Sequence, residues 1–499
     1  MNVLKYILIT FVILKLNICF ASNYDLEIAQ PQPNLDTKNR FYKAYPGLEY
    51  NVRVAINGGE FPFLYSLVEA PSGMEIDAKG VITWSNPVES QSPYNVTLTV
   101  TDASSISKTV SWTISVSQSG FRFIDAINGK TVSQGGTGSI DNPWKTIKDW
   151  YEGDDVGSIA RNSYAGEFLY WREGTYLIDG FIDPDNANRF LNRDGNKPNV
   201  WLAYPGEKPI IDFNDAYINI WETTNLYIDG FEFALNGNQR GLGLVLPSSG
   251  SHVTIRRSKF HGITTGYVGG NNSHVFITRT SPGTQGGYWA IQDNEFYDVN
   301  QGYGVLGYSA EQVLIENNYL HDIDGHAIGP KEGTAMWFIR NNKFFNNPLD
   351  AIGIQYSDTG GILSGHIEVS YNLVLQGAGG GWVRVNSNQT ASGHPVYVFR
   401  NTILGELVQA ARPTASNGPF HFYNNVIVND STHADKIQQL NVEDVSKVVV
   451  TDGLTGGYSD SVVDSDGFLE PTNFGDYIGT HGHQVGARPS APIDLIQNE

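Results

Sequence analysis

The chain has 499 residues, a formal net charge of −20, many glycine and aromatic residues and few charged ones. This length exceeds one ordinary hydrophobic core, and the composition favours a β-rich protein over a helical bundle or a disordered chain. Nucleic acid is excluded as a partner, because the overall negative field repels phosphate.

The first 21 residues have the pattern of a secretion signal, with a positive end at Met1–Lys5, an apolar stretch at Tyr6–Cys19 and a cleavage point near Ala21. We therefore expect a signal peptide at 1–21 and a secreted bacterial protein, extracellular or periplasmic; a membrane anchor is the alternative. Cys19 is the only cysteine. The mature chain would then have no disulfide and no cysteine-ligated metal.

Residues 22–117 are predicted to form a β-sandwich. After an extended lead-in, strand-like alternation occurs at 50–55, 63–68, 94–100 and 110–116. Between these strands, the segment Pro71–Trp84 resembles the cadherin-like Ig domains that stand beside many extracellular bacterial enzymes. Ile76, Ile82 and Trp84 are predicted to fill the core between the two sheets. Residues 117–120 are the predicted linker.

Residues 121–499 are predicted to form a right-handed parallel β-helix, because they contain an internal repeat. Each repeat has apolar first and sixth positions, and most have asparagine at the fourth. The asparagines are 24, 24, 30, 29 and 24 residues apart, about one turn of a three-sheet β-helix. We assign them a structural role, since asparagine tolerates left-handed corners and its amide can bond to neighbouring coils. They are Asn294, Asn318, Asn342, Asn372, Asn401 and Asn425.

Equivalent positions of successive coils lie about 4.8 Å apart, so a site on this scaffold is built from rows of residues. Aligning the coils on the asparagines, and using strand alternation at 381–386, predicts three outward rows and an outward Trp382. A row of cations on an acidic chain suits an acidic or sulfated sugar chain. The rows are Gly307, Lys331, Gln355, Arg384 and Arg412; Tyr308, Glu332 and Tyr356; and Gly302, His326 and Asp350.

The segments 324–331 and 339–344 resemble the chondroitinase-B and alginate lyase family of β-helix polysaccharide lyases. Asp324, Ile328 and Lys331 stand at the family's acidic, isoleucine and lysine positions. The resemblance implies that Lys331 is the Brønsted base. In two departures, His326 replaces a calcium-binding carboxylate and Gln355 the catalytic arginine. Calcium is therefore the candidate cofactor that the resemblance leaves open.

The leading hypothesis is a polysaccharide lyase that cleaves a uronate-containing polymer by β-elimination. Arg384, helped by Arg412 or Gln355, would neutralise the substrate carboxylate, and Lys331 would accept the C5 proton. The other predicted roles are protonation of the leaving oxygen by Tyr308, Tyr356 or His326, stacking on a sugar by Trp382, and substrate binding by Glu332 and Asp350.

Two alternatives stay open. A glycoside hydrolase on the same scaffold would use two carboxylates from among Asp324, Glu332, Asp350 and Asp358. A non-catalytic surface protein would bind a glycan without turnover. All three hypotheses expect a carbohydrate partner, anionic in the leading one, and a monomeric protein that is not inserted in a membrane.

Overall fold

The computed structural model describes residues 24–32, 39–145, 166–178, 197–213, 218–219, 225–235, 242–247, 250–264, 271–278, 287–331, 333–356, 366–375, 382–387, 396–404, 411–413, 420–423, 425–428 and 449–451. Within these ranges the elements are β-strands, apart from two short 3₁₀ turns at Arg40–Tyr42 and Val132–Gln134. The predicted signal peptide lies outside the described residues. No helix in the described ranges is long and apolar enough to cross a membrane.

The N-terminal unit is the predicted β-sandwich. One sheet has the order β2-β9-β8-β5 and the other β3-β7-β6, while β1 pairs with β4. Ile82 and Trp84 lie in the core between the sheets, as expected. The strands are β1 Glu27–Gln30, β2 Lys43–Ala44, β3 Tyr50–Arg53, β4 Ala55–Asn57, β5 Leu64–Glu69, β6 Met74–Ile76, β7 Val81–Trp84, β8 Tyr94–Thr101 and β9 Ser107–Val116.

The second unit is a parallel β-helix of three sheets, and the coils that are described in full contribute a stretch of strand to each sheet. Sheet 1 begins directly after the predicted linker and pairs its strands in chain order. It contains β10 Phe121–Ile124, β11 Phe168–Trp171, β13 Asn199–Ala203, β16 Leu226–Asp229, β19 Val253–Arg256, β22 Trp289–Gln292, β24 Glu311–Glu316, β26 Ala335–Arg340, β29 Ile367–Ser370, β32 Val396–Phe399 and β35 Phe420–Tyr423.

Sheets 2 and 3 are joined, because the long strands β23 Glu295–Gly307 and β25 Tyr319–Pro330 run through both. Sheet 2 otherwise contains β12 Gly174–Ile178, β14 Pro209–Phe213, β17 Glu232–Ala234, β20 Lys259–His261, β27 Lys343–Phe345, β30 Leu373–Leu375, β33 Thr402–Leu404, β36 Val426–Val428 and β37 Val449–Thr451. Sheet 3 otherwise contains β15 Ile218–Asn219, β18 Leu242–Pro247, β21 Ser273–Thr278, β28 Ile352–Tyr356, β31 Val383–Ser387 and β34 Ala411–Pro413.

The asparagine ladder connects sheet 1 to sheet 2. All six asparagines are buried. The first five amides each donate to the side chain of the next asparagine at 2.9–3.0 Å and to a backbone carbonyl of the previous coil, and the sixth, Asn425, donates to the carbonyl of Val398. The predicted structural role is therefore confirmed. The predicted left-handed asparagine is wrong, because the residue before it makes the corner: φ is 60° at Asp293, 58° at Asn317 and 54° at Asn341.

The sandwich packs on the outer surface of sheet 1. Ala29 and Ala55 lie against Ala290, Leu314 and Phe338 in a small hydrophobic cluster. The lead-in strand β1 adds polar contacts: the Gln30 amide donates to the carbonyl of Tyr288 at 2.9 Å. The two units therefore share an interface, which leaves sheet 3 as the surface that carries the predicted site residues.

A buried charge network crosses this interface. The Arg53 guanidinium of the sandwich pairs with Asp293 and Glu316 of the β-helix. Arg340 donates to Glu316 at 2.8 Å and to the carbonyl of Ile56 at 2.7 Å, and Arg256 lies 3.6 Å from Asp293. Burial alone would raise the pKa of Asp293, but Arg53 and Arg256 outweigh it and hold that pKa below its ordinary value.

Candidate functional site

The candidate site lies on the outside of sheet 3, where β23 and β25 end. Val305, Ile328 and Ile352 of these coils belong to the hydrophobic core, whereas Tyr303, His326 and Lys331 are buried but do not. Their side chains therefore form a cluster outside the core. With Tyr308 and Asn271, we call these residues the Lys331 cluster.

Lys331 is held by two aromatic rings and an amide. Its Nζ lies 4.8 Å from the ring centre of Tyr303 and 5.4 Å from that of Tyr308, within the range of cation–π attraction. It donates to Oδ1 of Asn271 at 3.3 Å, and the Tyr308 hydroxyl donates to the same oxygen at 3.2 Å. Lys331 is thus a buried lysine whose ammonium group is held by named neighbours.

His326 is fixed by the next coil. Its Nδ1 lies 2.8 Å from the backbone carbonyl of Asp350. A carbonyl can only accept, so Nδ1 carries the hydrogen and the neutral ring has its lone pair on Nε2. The ring lies 5.9 Å from that of Tyr303, tilted by 42°. His326 therefore has a defined tautomer beside the rings that hold Lys331.

Two glycines make room for these rings. A Cβ at Gly353 would lie 2.5 Å from the His326 ring, and one at Gly329 would lie 2.6 Å from the Tyr303 ring. Both distances are shorter than a methyl group can accept. The sequence therefore has glycine at both positions where a ring from the preceding coil lies over the strand: Gly329 under Tyr303 and Gly353 under His326.

The rows predicted from the asparagine alignment are displaced by one residue between β23 and β25. The register shifts between Asn300 and Tyr303, so that Tyr303 pairs with His326 and Gly307 with Pro330. Gly302 and Gly307 were therefore the wrong partners for His326 and Lys331. The extra residue leaves the asparagines aligned but moves every later residue of β23 by one place.

Arg384 and Arg412 are neighbours, as expected, but not in the row of Lys331. β28 pairs Gly353 with Arg384 and Gln355 with Asn386, and β31 pairs Arg384 with Arg412. Arg384 thus stands in the row of Gly353, on the same sheet as Lys331 and two coils further on. Two coils correspond to about 10 Å along the axis.

Trp382 is not the predicted sugar-binding platform. Its side chain is fully buried in the core of the β-helix and packs edge-on against Phe344, with ring centres 5.1 Å apart. Val383 is buried in the same core, so both residues face inward at the corner before β31. Strand alternation, from which an outward Trp382 was inferred, does not hold at such a corner.

The carboxylates of the hydrolase hypothesis lie in different environments. Asp324 is exposed, whereas Asp350 is buried at 1% exposure. Glu332 and Asp358 lie outside the described residues, as do the side chains of Gln355, Tyr356, Arg384 and Arg412. Their roles stay predictions.

A second histidine, two coils before His326, is not a comparable acid–base group. His274 is fully buried on β21, and its Nε2 bonds to the carbonyl of Tyr297 at 3.0 Å. Burial lowers its pKa to about 3, so it is neutral near pH 7. In the described part of the chain, no group of three or more His, Cys, Asp or Glu side chains is placed to hold a metal ion.

Sequence reasoning missed two members of the Lys331 cluster. Tyr303 was hidden by the one-residue register shift, because the alignment put Gly302 opposite His326. Asn271 precedes β21 in a glycine- and asparagine-rich segment, which gives no pattern that would separate it from a turn. An aromatic residue one position from a predicted row was the available signal for Tyr303.

Comparison with known proteins supports the two-unit fold. Residues 33–117 match the family model described as "Putative Ig domain", and residues 242–437 match that of the right handed beta helix region. None of the curated proteins matches the chain significantly.

Solved structures similar to the chain are β-helix proteins of low sequence identity. The pectate lyase Pel9A is 15% identical over 68% of this chain and 80% of its own, with a TM-score of 0.33. A rhamnogalacturonan lyase is 14% identical over 71% of this chain and 96% of its own, with a TM-score of 0.35. The A-module of the Azotobacter vinelandii mannuronan C-5 epimerase AlgE6 is 13% identical over 55% of this chain and 93% of its own, with a TM-score of 0.30. Together with the strand topology, the two family models show that the chain combines an Ig-like β-sandwich with a right-handed parallel β-helix.

Proposed function

We propose that this protein is a secreted polysaccharide lyase that cleaves a uronate-containing polymer at the Lys331 cluster. The observation that carries the proposal is the environment of Lys331, a lysine removed from bulk water and aimed by two tyrosine rings and Asn271. A lysine kept only for solubility would not need this support. A histidine of defined tautomer lies in the same cluster.

The chemistry fits the groups present. In β-elimination a base removes the proton from C5, the bond between C4 and the leaving oxygen breaks, and a C4–C5 double bond forms as the oxygen gains a proton. Lys331 in its neutral form would accept the C5 proton. Nε2 of protonated His326 would supply the proton to the leaving oxygen.

The acidity of C5 has to be increased by neutralising the substrate carboxylate. Arg384 and Arg412 pair across β31 and β34 of the same sheet, and guanidinium groups bind carboxylates in two-point contacts. On a chain with a net charge of −20, neighbouring arginines also offer a local attraction for an anionic polymer. We therefore assign the carboxylate to these two residues.

The test is a screen of alginate, pectate, glycosaminoglycans and sulfated algal polymers, read by near-ultraviolet absorbance and by reducing ends together. We expect one uronate polymer to give both signals. Lys331→Ala should lower kcat by about 10²- to 10⁴-fold, the usual range for one general base. Lys343→Ala is the matched control, since Lys343 also lies over a tyrosine ring, Tyr319 at 5.0 Å, but on sheet 2.

Other outcomes would overturn the proposal. New reducing ends without absorbance would mean hydrolysis, and saturable binding without products would mean a glycan-binding protein. Full activity of Lys331→Ala would remove the lysine from the mechanism even if the protein is a lyase.

A further inference from the structure

A cavity of about 220 Å³ opens between the sandwich and the first coils of the β-helix. It has room for several water molecules but is smaller than typical pockets for drug-sized ligands, which occupy about 300–1,000 Å³. Its size suits one sugar residue. Both units contribute to its wall, including Arg40, Glu49, Asn51, Tyr170, Tyr204 and Arg257.

Arg40 is the unusual residue of this wall. It is 2% exposed, and its guanidinium donates to neutral acceptors: the carbonyls of Lys43 and Glu49 and, at 3.3 Å, the hydroxyl of Tyr170. It also lies 4.7 Å from the ring centre of Tyr50. No carboxylate among the described residues is within ion-pair distance of it.

The other arginines buried at the same interface differ in this respect. Arg53 pairs with Asp293 and Glu316, and Arg340 pairs with Glu316 at 2.8 Å. Arg256 lies 3.5 Å from Asp229. A buried charge is costly unless an opposite charge compensates it. Of these four buried arginines, Arg40 is the one that forms no ion pair with a carboxylate of the described residues. It is also the one of the four that borders the cavity.

The rest of the wall suits a polar ring more than an inorganic ion. Arg257 is half-exposed and donates to Asp229 at 2.6 Å. The Arg172 guanidinium stacks on the Tyr204 ring, 4.2 Å from its centre, which orients that ring at the wall. Asn51 and Glu49 add hydrogen-bonding groups that hydroxyls can use.

We propose that this interdomain cavity binds one carboxylate-bearing sugar residue, with the carboxylate facing Arg40 and Arg257. The bound anion supplies a negative charge beside Arg40, for which the described residues provide no carboxylate within ion-pair distance, and the ligand contacts both units. This binding does not depend on elimination at the Lys331 cluster, so either proposal can fail while the other holds.

The test is calorimetric titration of the full chain with D-glucuronate and D-galacturonate. Glucose and galactose are the neutral controls, and inorganic sulfate is the control for an anion without a ring. We expect one saturable site for a uronate. Arg40→Gln should weaken binding by about tenfold or more, since a charged hydrogen bond is lost. Arg257→Gln, on a half-exposed side chain, should weaken it several-fold.

Two variants serve as controls. Arg122→Gln changes an arginine paired with Glu167 away from the cavity, and Lys343→Ala changes a lysine on sheet 2; both should bind the uronate normally. Loss of binding in Lys331→Ala would place the ligand on sheet 3 and overturn the proposal. The absence of saturable binding would also overturn the proposal, and so would equal binding of neutral sugars or of sulfate. If Arg40→Gln does not fold, unchanged binding in Arg257→Gln would overturn it.

Discussion

The side chains of the Lys331 cluster are positioned by residues that have no chemistry of their own. The His326 ring crosses the strand at Gly353, and the Tyr303 ring crosses it at Gly329. The aligned rows and the family resemblance predicted Lys331 and His326 as site residues from the sequence. The support given by Tyr303 and Asn271 was missed, because a register shift hides Tyr303 from the aligned rows and Asn271 lies in a segment without periodicity.

At this scale we predict that Gly353→Ala lowers activity without unfolding the protein. The new Cβ would lie 2.5 Å from the His326 ring, so the ring has to move and loses its bond to the Asp350 carbonyl. A displacement of about 1 Å at an acid–base group can cost about 10²-fold. The measurement is kcat on the polymer that the screen identifies, with thermal unfolding as the check on folding.

Gly287→Ala is the matched control. Its Cβ would meet the end of the flexible Gln312 side chain, which can move aside, so kcat should stay near wild type. Equal losses in both variants would show a general structural effect and contradict the positioning of His326 by Gly353.

The coils are specified by one corner that recurs along the chain. A left-handed residue turns the backbone, and the asparagine after it bonds to the coils on both sides. This corner depends on local residue types, so the sequence predicts both the coils and their spacing. The rows on sheet 3 depend instead on the length of each coil after the corner, and one extra residue in β23 displaced them.

At the scale of the element we predict that Asn342→Ala destabilises the β-helix. Asn342 accepts from the backbone and the amide of Asn318, and donates to the carbonyl of Ile315. Its removal leaves buried polar groups without partners, at about 1–3 kcal/mol each. Urea unfolding should show a loss of about 3 kcal/mol or more.

Asn95→Ala is the control for this variant, because Asn95 is exposed on the sandwich and, among the described residues, its side chain bonds to that of Glu69 alone. We expect a change below about 0.5 kcal/mol there. If both variants lost a similar amount of unfolding free energy, the ladder asparagine would stabilise the protein no more than an exposed one does.

The two units of the molecule are joined by a charge network that the sequence does not reveal. Arg53 and Glu316 stand on two separate strands and Asp293 at a corner between two others, and nothing in their local pattern marks them as partners. Each unit could be predicted because its own repeats or alternation encode it. Their docking depends on the fit between one surface of each unit, and no sequence periodicity predicts which surfaces these are.

For the whole molecule we predict that acid weakens this interface. Burial alone would raise the pKa of Glu316, but Arg340 and Arg53 outweigh it and lower that pKa, as Arg53 and Arg256 do for Asp293. A lowered folded pKa means that the stabilisation is present above the unfolded pKa, about 4, and is lost as the pH falls through the folded value. The contribution of these two carboxylates to the free energy of unfolding should be constant from pH 5 to 7 and should decline below about pH 4.

Arg53→Met should remove about 3–5 kcal/mol near pH 7, because it leaves buried carboxylates undercompensated, and should flatten the decline in acid. Lys108→Met, on an exposed residue of the sandwich, is the control. An acid limb that Arg53→Met leaves unchanged would assign the pH dependence to other groups.

The most direct test of the account is a crystal structure of Lys331→Ala with a bound acidic oligosaccharide. We predict that the sugar chain lies across sheet 3, with C5 of one uronate beside position 331 and its carboxylate towards Arg384 and Arg412. An oligosaccharide bound on sheet 2, or on sheet 3 with its carboxylate away from both arginines, would contradict the account.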